Sequence, residues 1–310
     1  MTETAAQRAQ RLAGLPFERT GSTAATAVHG FLAAVRDAWR QRELLDLLVR
    51  RELKARYKDS SLGFVWSLIR PLVMLAIYYF AIGKVLGADR GIPQFAIFVF
   101  TGLTLWGLFS EVVTGSTMSI LSNAGLIKKV YLPREIFPLA ATGSAIFNFG
   151  VQLIVLILAT IVLQQVPWHA ELLYAPVAVA VVIIFGVGLG LLLSAINVYL
   201  RDVQYLVEVG LLIGFWTSPI VYSYGFVLQA LQEANLPAWL SEVYLANPMT
   251  MAILAFQRAI WIAGEAPGSA AVYPDDMPLR LAVMVLVGLV FVWISQRVFA
   301  RLQGNFAQEI

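Results

Sequence analysis

The sequence predicts an all-α membrane protein, with six transmembrane helices, an N-terminal amphipathic helix and short re-entrant helices between spans five and six. Three observations predict it. Of 310 residues, 59% are apolar and only 13% charged, against about 25% charged in soluble domains. Six stretches reach the roughly 20 mostly apolar residues that a spanning helix needs. Seventeen of the 22 Lys and Arg fall on one side of those stretches, the bias that marks the cytoplasmic side of a membrane protein.

The elements follow in chain order. Residues 1–30 have no apolar segment of the kind a signal peptide carries and read as a disordered cytoplasmic tail; residues 31–310 read as one membrane domain. From Phe31 to Ser60, Phe31, Val35, Trp39, Leu45, Leu48, Val49 and Leu53 recur at roughly helical spacing among charged faces. That pattern is a basic amphipathic helix lying in the headgroup region, its Arg50–Lys58 end meeting anionic lipid. It serves as an anchor or, in a sharper reading, as part of a docking surface for a partner or an anionic lipid substrate. The spans are expected at about 64–86, 94–117, 138–163, 172–196, 204–224 and 280–301. A seventh apolar run, "NPMTMAILAFQRAIWIAG" from Asn247, is interrupted by Arg258 and too short to cross comfortably. Asn247 followed by Pro248 is a good helix start, a capping side chain before proline at the first helical position.

Charge sets the orientation. Both termini and the loop between spans two and three lie on the basic, cytoplasmic side. Segment 225–279 lies outside and carries Glu233, Glu242, Glu265, Asp275 and Asp276. The net charge of +3 follows this topology, so nucleic acid is not an expected partner. With no cysteine and two distant histidines, His29 and His169, no metal site is expected.

Three ionisable residues fall inside spans. Arg70, Glu111 and Glu208 each lie about six residues from the basic side, ~9 Å at 1.5 Å per residue. A charge in a span pairs or lines a wet cavity. The expectation is that Arg70 pairs with Glu208, Glu111 or both where spans one, two and five meet; alternatives are contact with an anionic headgroup, or snorkelling of Arg70 to the interface. Aromatic stripes share those spans: Trp66 and Phe80 in span one, Phe95, Phe98, Trp106 and Phe109 in span two, Phe215 and Tyr222, with Trp216 beside them, in span five. Such stripes suit lipid and helix packing, and they also suit sugar rings, which stack on aromatic faces. The loop "ILSNAGLIKKVYLPREIFPL" from Ile120 is bounded by Pro133 and Pro138 and reads either as a cap held by its own charge pairs or as a short helix inserted into a partner.

What is absent narrows the class. There is no G-x-x-x-x-G-K-[ST] loop to cradle phosphates, and no nucleophile elbow or H-E-x-x-H pair. An ATP-driven role therefore requires a partner ATPase. A membrane-embedded transferase acting on a polyprenyl phosphate would need a D-x-D or paired carboxylates in a loop; Asp275–Asp276 is the only adjacent acidic pair and reads as a solvated outer loop.

Four motifs, "SSLGFVWSLIRPL", "NAGLIKKVYLPREIFPL", "FWTSPIVYS" and "NPMTMAILAFQRAIWIAG", occur in order within this six-span frame. Together they resemble the permease subunits of ATP-binding-cassette exporters of lipid-linked polysaccharides, the Wzm/TagG type. The resemblance covers about residues 31–305 and implies a homodimer bound to two ATPase subunits, which hold the ATP and Mg; this chain would hold no cofactor. It implies export of a polyprenyl-diphosphate-linked glycan such as O-antigen, teichoic acid or galactan across the bacterial cytoplasmic membrane. By the same resemblance the loop with Leu126, Lys128, Lys129, Tyr131, Arg134 and Glu135 is the ATPase-coupling helix, "NVYLRDV" with Arg201 and Asp202 is a second contact, and segment 225–265 forms outer gate helices. The conduit would run between two copies of spans one, two and five, past Arg70. An exporter of drugs, lipids or peptides within the same superfamily is the nearest alternative.

Overall fold

The computed structural model describes residues 40–57, 65–85, 91–130, 132–265 and 271–310, with positions 36, 87, 89 and 269. The predicted tail 1–30 and the start of the amphipathic helix at Phe31 lie outside the described residues. Among those described, all regular structure is helical. The helices are α1 (Arg42–Tyr57), α2 (Trp66–Ile77, continued by a π-helical segment Tyr78–Val85), α3 (Phe95–Ser122), α4 (Ala124–Ile127), α5 (Ile136–Val162), α6 (Tyr174–Tyr199, after a 3-10 turn Ala170–Leu173), α7 (Val203–Thr217), α8 (Tyr224–Glu233), α9 (Trp239–Leu245), α10 (Pro248–Ile260), α11 (Met277–Leu302) and α12 (Phe306–Glu309).

Five of these are long and apolar enough to cross a membrane: α2 with its π-helical segment, α3, α5, α6 and α11. The expected fifth span does not run to residue 224. α7 stops at Thr217 after 15 residues, ~22 Å at 1.5 Å per residue against a hydrocarbon core of ~30 Å. The cause is Pro219, which forces its predecessor out of the helical region; Ser218 is extended at ψ 147°. The freed Pro219 carbonyl accepts from the buried Gln257 amide at 2.8 Å, so the break is braced from α10. α10 itself starts as its sequence dictates, Asn247 Oδ1 accepting from the Met249 N–H at 3.0 Å with Pro248 in the first turn. It is 13 residues long and almost wholly buried. Trp261, just past its end, donates its indole N–H to the Pro93 carbonyl at 2.7 Å and so fixes α10 to the start of α3.

α3 forms the centre of the bundle, with α5 and α6 along it and α10 set between α3 and α6; α11 packs on the far side of α6. Glycines on α6 allow this. A Cβ at Gly186 would stand 2.9 Å from Val112, and one at Gly190 would stand 2.6 Å from Ser116, both on α3. Gly188 points the other way, where a Cβ would meet Phe291 of α11 at 2.6 Å. Small residues spaced by four let helices approach closely where lipid supplies no hydrophobic drive for association. The buried Asn197 amide then bolts α6 to α3, donating to the Thr117 carbonyl at 3.1 Å.

A second, separate core lies at the end of the bundle that carries α1. Leu48 of α1, Ile120 of α3, Ile136 and Phe137 of α5, Val198 of α6, Phe299 of α11 and Phe306 of α12 meet there. α1 lies along α5 and is tied to α3 by two side chains, Arg51 donating to Asn123 and Arg56 to Glu111.

Candidate functional site

A groove of 990 Å³ opens where α2, α3, α5 and α7 meet. Its position follows from how little α2 is held. Only 6% of the most apolar stretch of α2 is buried, against 72% for α3. Trp66, Pro71, Met74 and Tyr78 form the α2 wall, and Leu211, Leu212, Phe215 and Trp216 form the α7 wall. Trp106, Ser110, Glu111 and Thr114 of α3 with Asn148 and Gln152 of α5 supply a polar floor.

The aromatic rings are linked. Tyr78 tilts against Phe215 at 5.8 Å, Phe215 meets Trp106 edge-on at 6.0 Å, and Trp216 stands perpendicular to Phe215 at 5.4 Å. Trp106 continues to Phe109 at 5.6 Å. Trp106 reaches α7 because Gly214 leaves room; a Cβ there would stand 2.8 Å from the indole. Rings that contact edge-on leave part of each face uncovered, the surface on which a sugar's C–H face or a cation rests.

At the basic end of the groove Glu111 carries the charge. Arg56 reaches it from α1, and Asn148 Nδ2 donates to the same carboxylate at 2.8 Å. Of the cluster expected from the sequence, Glu111 lies in the groove and Glu208 does not. Glu208 is exposed and has no partner among the described residues. The reason is helical phase: α7 meets α3 through Val203 and Val207, with Leu211 beside them, and Glu208 stands ~100° round from Val207. The side chain of Arg70 lies outside the described residues.

Of the expected conduit aromatics, Trp66, Trp106, Phe215 and Trp216 line the groove. Phe95 and Phe98 do not; both are buried in the main core, and Phe98 packs edge-on against Trp261 at 4.8 Å. Phe98 is covered by Trp261 and Phe95 by the π-helical end of α2 at Gly83, burials that 3–4 spacing on one helix cannot reveal. Phe80 is 67% exposed and stands apart from the groove. Phe109 backs Trp106 on the side of a second, almost purely apolar cleft between α3, α6, α7 and α11. Tyr222 lies past the end of α7 and donates its hydroxyl to the Trp216 carbonyl at 2.9 Å, steadying the groove's far rim.

The sequence of this chain matches the pattern of the ABC-2 type transporter family over residues 43–261. The chain belongs to the ABC-2 type transporter family. It is 31% identical over 277 residues to the O-antigen export system permease protein RfbA of Myxococcus xanthus, covering 89% of this chain and 98% of that one. It is 26% identical to an O-antigen export system permease protein RfbA of Klebsiella pneumoniae, covering 86% and 94% of the two chains. It is 30% identical over 167 residues to the capsule polysaccharide export inner-membrane protein CtrC of Neisseria meningitidis, covering 50% and 59%.

In this ABC-2 chain the second group of expected residues sits at the α1 end. α4 is a single turn. Leu126 is half-buried in the second core, whereas Lys128 and Lys129 project into solvent. Tyr131 lies outside the described residues. Arg134 sits over the Phe306 ring at 5.5 Å. Glu135 is half-buried, accepts from Gln303 at 3.4 Å, and is held above the usual carboxylate range by burial, with the nearby amides and Arg134 opposing the shift. Arg201 and Asp202 are exposed at the turn between α6 and α7.

Sequence reading missed Arg56, Asn148 and Gln152. Arg56 was counted among the lipid-facing charges of the amphipathic helix, and its length lets it reach inward instead. Asn148 and Gln152 carried a signal, two amides four residues apart on one face of an apolar span, where an unpartnered amide is costly.

Proposed function

We propose that this chain is the membrane subunit of an ATP-driven exporter that carries a polyprenyl-diphosphate-linked polysaccharide across the bacterial cytoplasmic membrane. The reading rests on the near full-length likeness to an O-antigen export permease. α7 counts as a sixth, short span, which puts both termini and the α4 loop on the cytoplasmic side, as the distribution of Lys and Arg requires. Two copies face one another across their α2 and α7 surfaces, and two ATPase subunits, which hold the ATP and Mg, dock at the α4 loop and at Arg201–Asp202. ATP-driven closure of that pair pushes on the loops and opens the route between the spans; α8, α9 and α10 close its outer end.

The groove gives this route a chemistry. Aromatic walls offer sugar rings stacking surfaces with no fixed hydrogen-bond register, which suits a polymer that slides. Glu111, Asn148 and Gln152 offer hydrogen bonds to hydroxyls at its floor. Arg56, held by Glu111 at the basic end of the groove, would meet a diphosphate as the head enters, with Arg70 expected from its sequence position to be a second cation there, while the lipid tail stays in the bilayer. Deleting the gene and analysing lipid-linked polymer tests the reading: glycan on polyprenyl diphosphate is expected to accumulate inside the cell and to vanish from its surface. Unchanged surface glycan together with export of a drug or peptide lost would contradict it.

A further inference from the structure

The segment 303–310 after α11 is half polar, yet it carries Phe306 and Ile310. After α11 the chain makes a 3-10 turn, Gln303–Asn305, and folds back as α12. Phe306 is completely buried. Its ring is perpendicular to Phe299 of α11 at 5.6 Å and edge-on to Tyr199 of α6 at 6.1 Å. Tyr199 donates its hydroxyl to the Leu302 carbonyl at 2.6 Å, which fixes the root of the hook. The Arg134 guanidinium lies over the same ring at 5.5 Å. Gln303 donates to Glu135, and Leu126, Ile127, Leu132 and Ile310 pack into the same cluster. The loop from α4 to α5 thus grips the bundle through the hook, while Lys128, Lys129 and Val130 face outward with no such hold.

We infer that the C-terminal hook, with Phe306 at its centre, is the strut that positions the α4 loop and passes force from that loop to α6 and α11. This rests on the reading that the loop receives the ATPase. A loop pushed against a soft support dissipates the push by local repacking. One seated on a buried ring shared by two long helices moves them as a unit, because packed cores are stiff. Phe306 is a positioning residue on this view and touches neither substrate nor ATPase.

The test uses the full permease–ATPase complex, expressed in a strain lacking the chromosomal gene, with the cell's own surface glycan as the probe. For Phe306→Ala the complex is expected to assemble and hydrolyse ATP as wild type does, while surface glycan per ATP hydrolysed falls about fivefold or more, the lower edge of coupling between sites. Phe306→Tyr restores it. Amide exchange of the purified chain rises in residues 124–135 of F306A and not in the centre of α3. Export per ATP equal to wild type in F306A, or export and ATPase falling in parallel, overturns the inference. If F306A fails to assemble, Tyr199→Phe decides, since one lost hydrogen bond of ~0.5–1.5 kcal/mol corresponds to at least about a twofold loss of export per ATP; no change overturns the strut. A wild-type chain that binds no ATPase contradicts the exporter reading itself, whatever the exchange data show.

Discussion

α2 and α3 are almost equally apolar, yet 72% of the most apolar stretch of α3 is buried and only 6% of that of α2. Composition tells both helices to leave water. It does not say which of them the rest of the chain will cover, because lipid and protein interior are equally good solvents for Val, Leu and Phe. What separates them is the polar and small residues between the apolar ones. α3 carries Thr101, Thr104, Ser116 and Thr117, all buried, and offers room at Gly102, where a Cβ would meet the Ile220 backbone at 3.1 Å. α2 carries Pro71 and finishes in a π-helical segment, so it offers no regular ridge to a neighbour in the same chain. The open surface it leaves, with the outer face of α7, is the surface on which export is proposed to depend.

Substitutions break this comparison in a graded way. The largest effect is expected in the α3 core: Phe98→Ala loses about 3–5 kcal/mol of stability, as truncation of a buried aromatic does, and Phe80→Ala changes the isolated chain by less than ~0.5 kcal/mol, as at exposed sites. Thermal unfolding in detergent compares the two. Next comes Gly190→Val, where the new side chain meets Ser116; overpacking of this kind costs about 1–3 kcal/mol and is read as loss of folded chain at equal expression. Trp216→Ala should leave folding intact and lower export about 2- to 10-fold, equivalent to one aromatic contact of ~0.5–1.5 kcal/mol, assayed as surface glycan. Arg56→Gln and Glu111→Gln form a double-mutant cycle whose coupling, for a partly exposed pair, is about 0.2–1 kcal/mol.

The smallest effect concerns pH. Burial raises the Glu135 pKa, so the folded state disfavours its ionised form. The penalty is absent below the ordinary carboxylate range, grows as pH rises through it, and is fully present above the raised value. Glu135→Gln therefore raises the melting temperature at neutral pH and leaves it unchanged at about pH 3, below the ordinary carboxylate range.

Much of the helical frame was legible. Five spans follow from apolar length, and Asn247–Pro248 starts α10 as its capping chemistry dictates. Span five was overextended because an apolar run continues through Pro219 to Tyr222, and hydropathy does not register the missing donor. The groove was half legible. Its aromatic walls follow from stripes on α2 and α7, but Phe95 and Phe98 carry the same spacing and are buried, since what covers them, Gly83 and Trp261, lies on other elements. The described partners of Glu111 were not legible for a related reason. Glu111 is satisfied by Arg56 from a helix read as lying flat in the headgroups and by Asn148 from α5, contacts that depend on tertiary placement rather than on equal depth along three spans.

A photo-crosslinking amino acid at Trp216, with controls at Phe98 in the core and Leu289 on the exposed face of α11, asks whether the glycan passes between α2 and α7. With the ATPase stalled during export, crosslinks to glycan are expected from position 216 and not from 98 or 289. Equal labelling from 289, or none from 216 while export proceeds, would contradict the placement of the route.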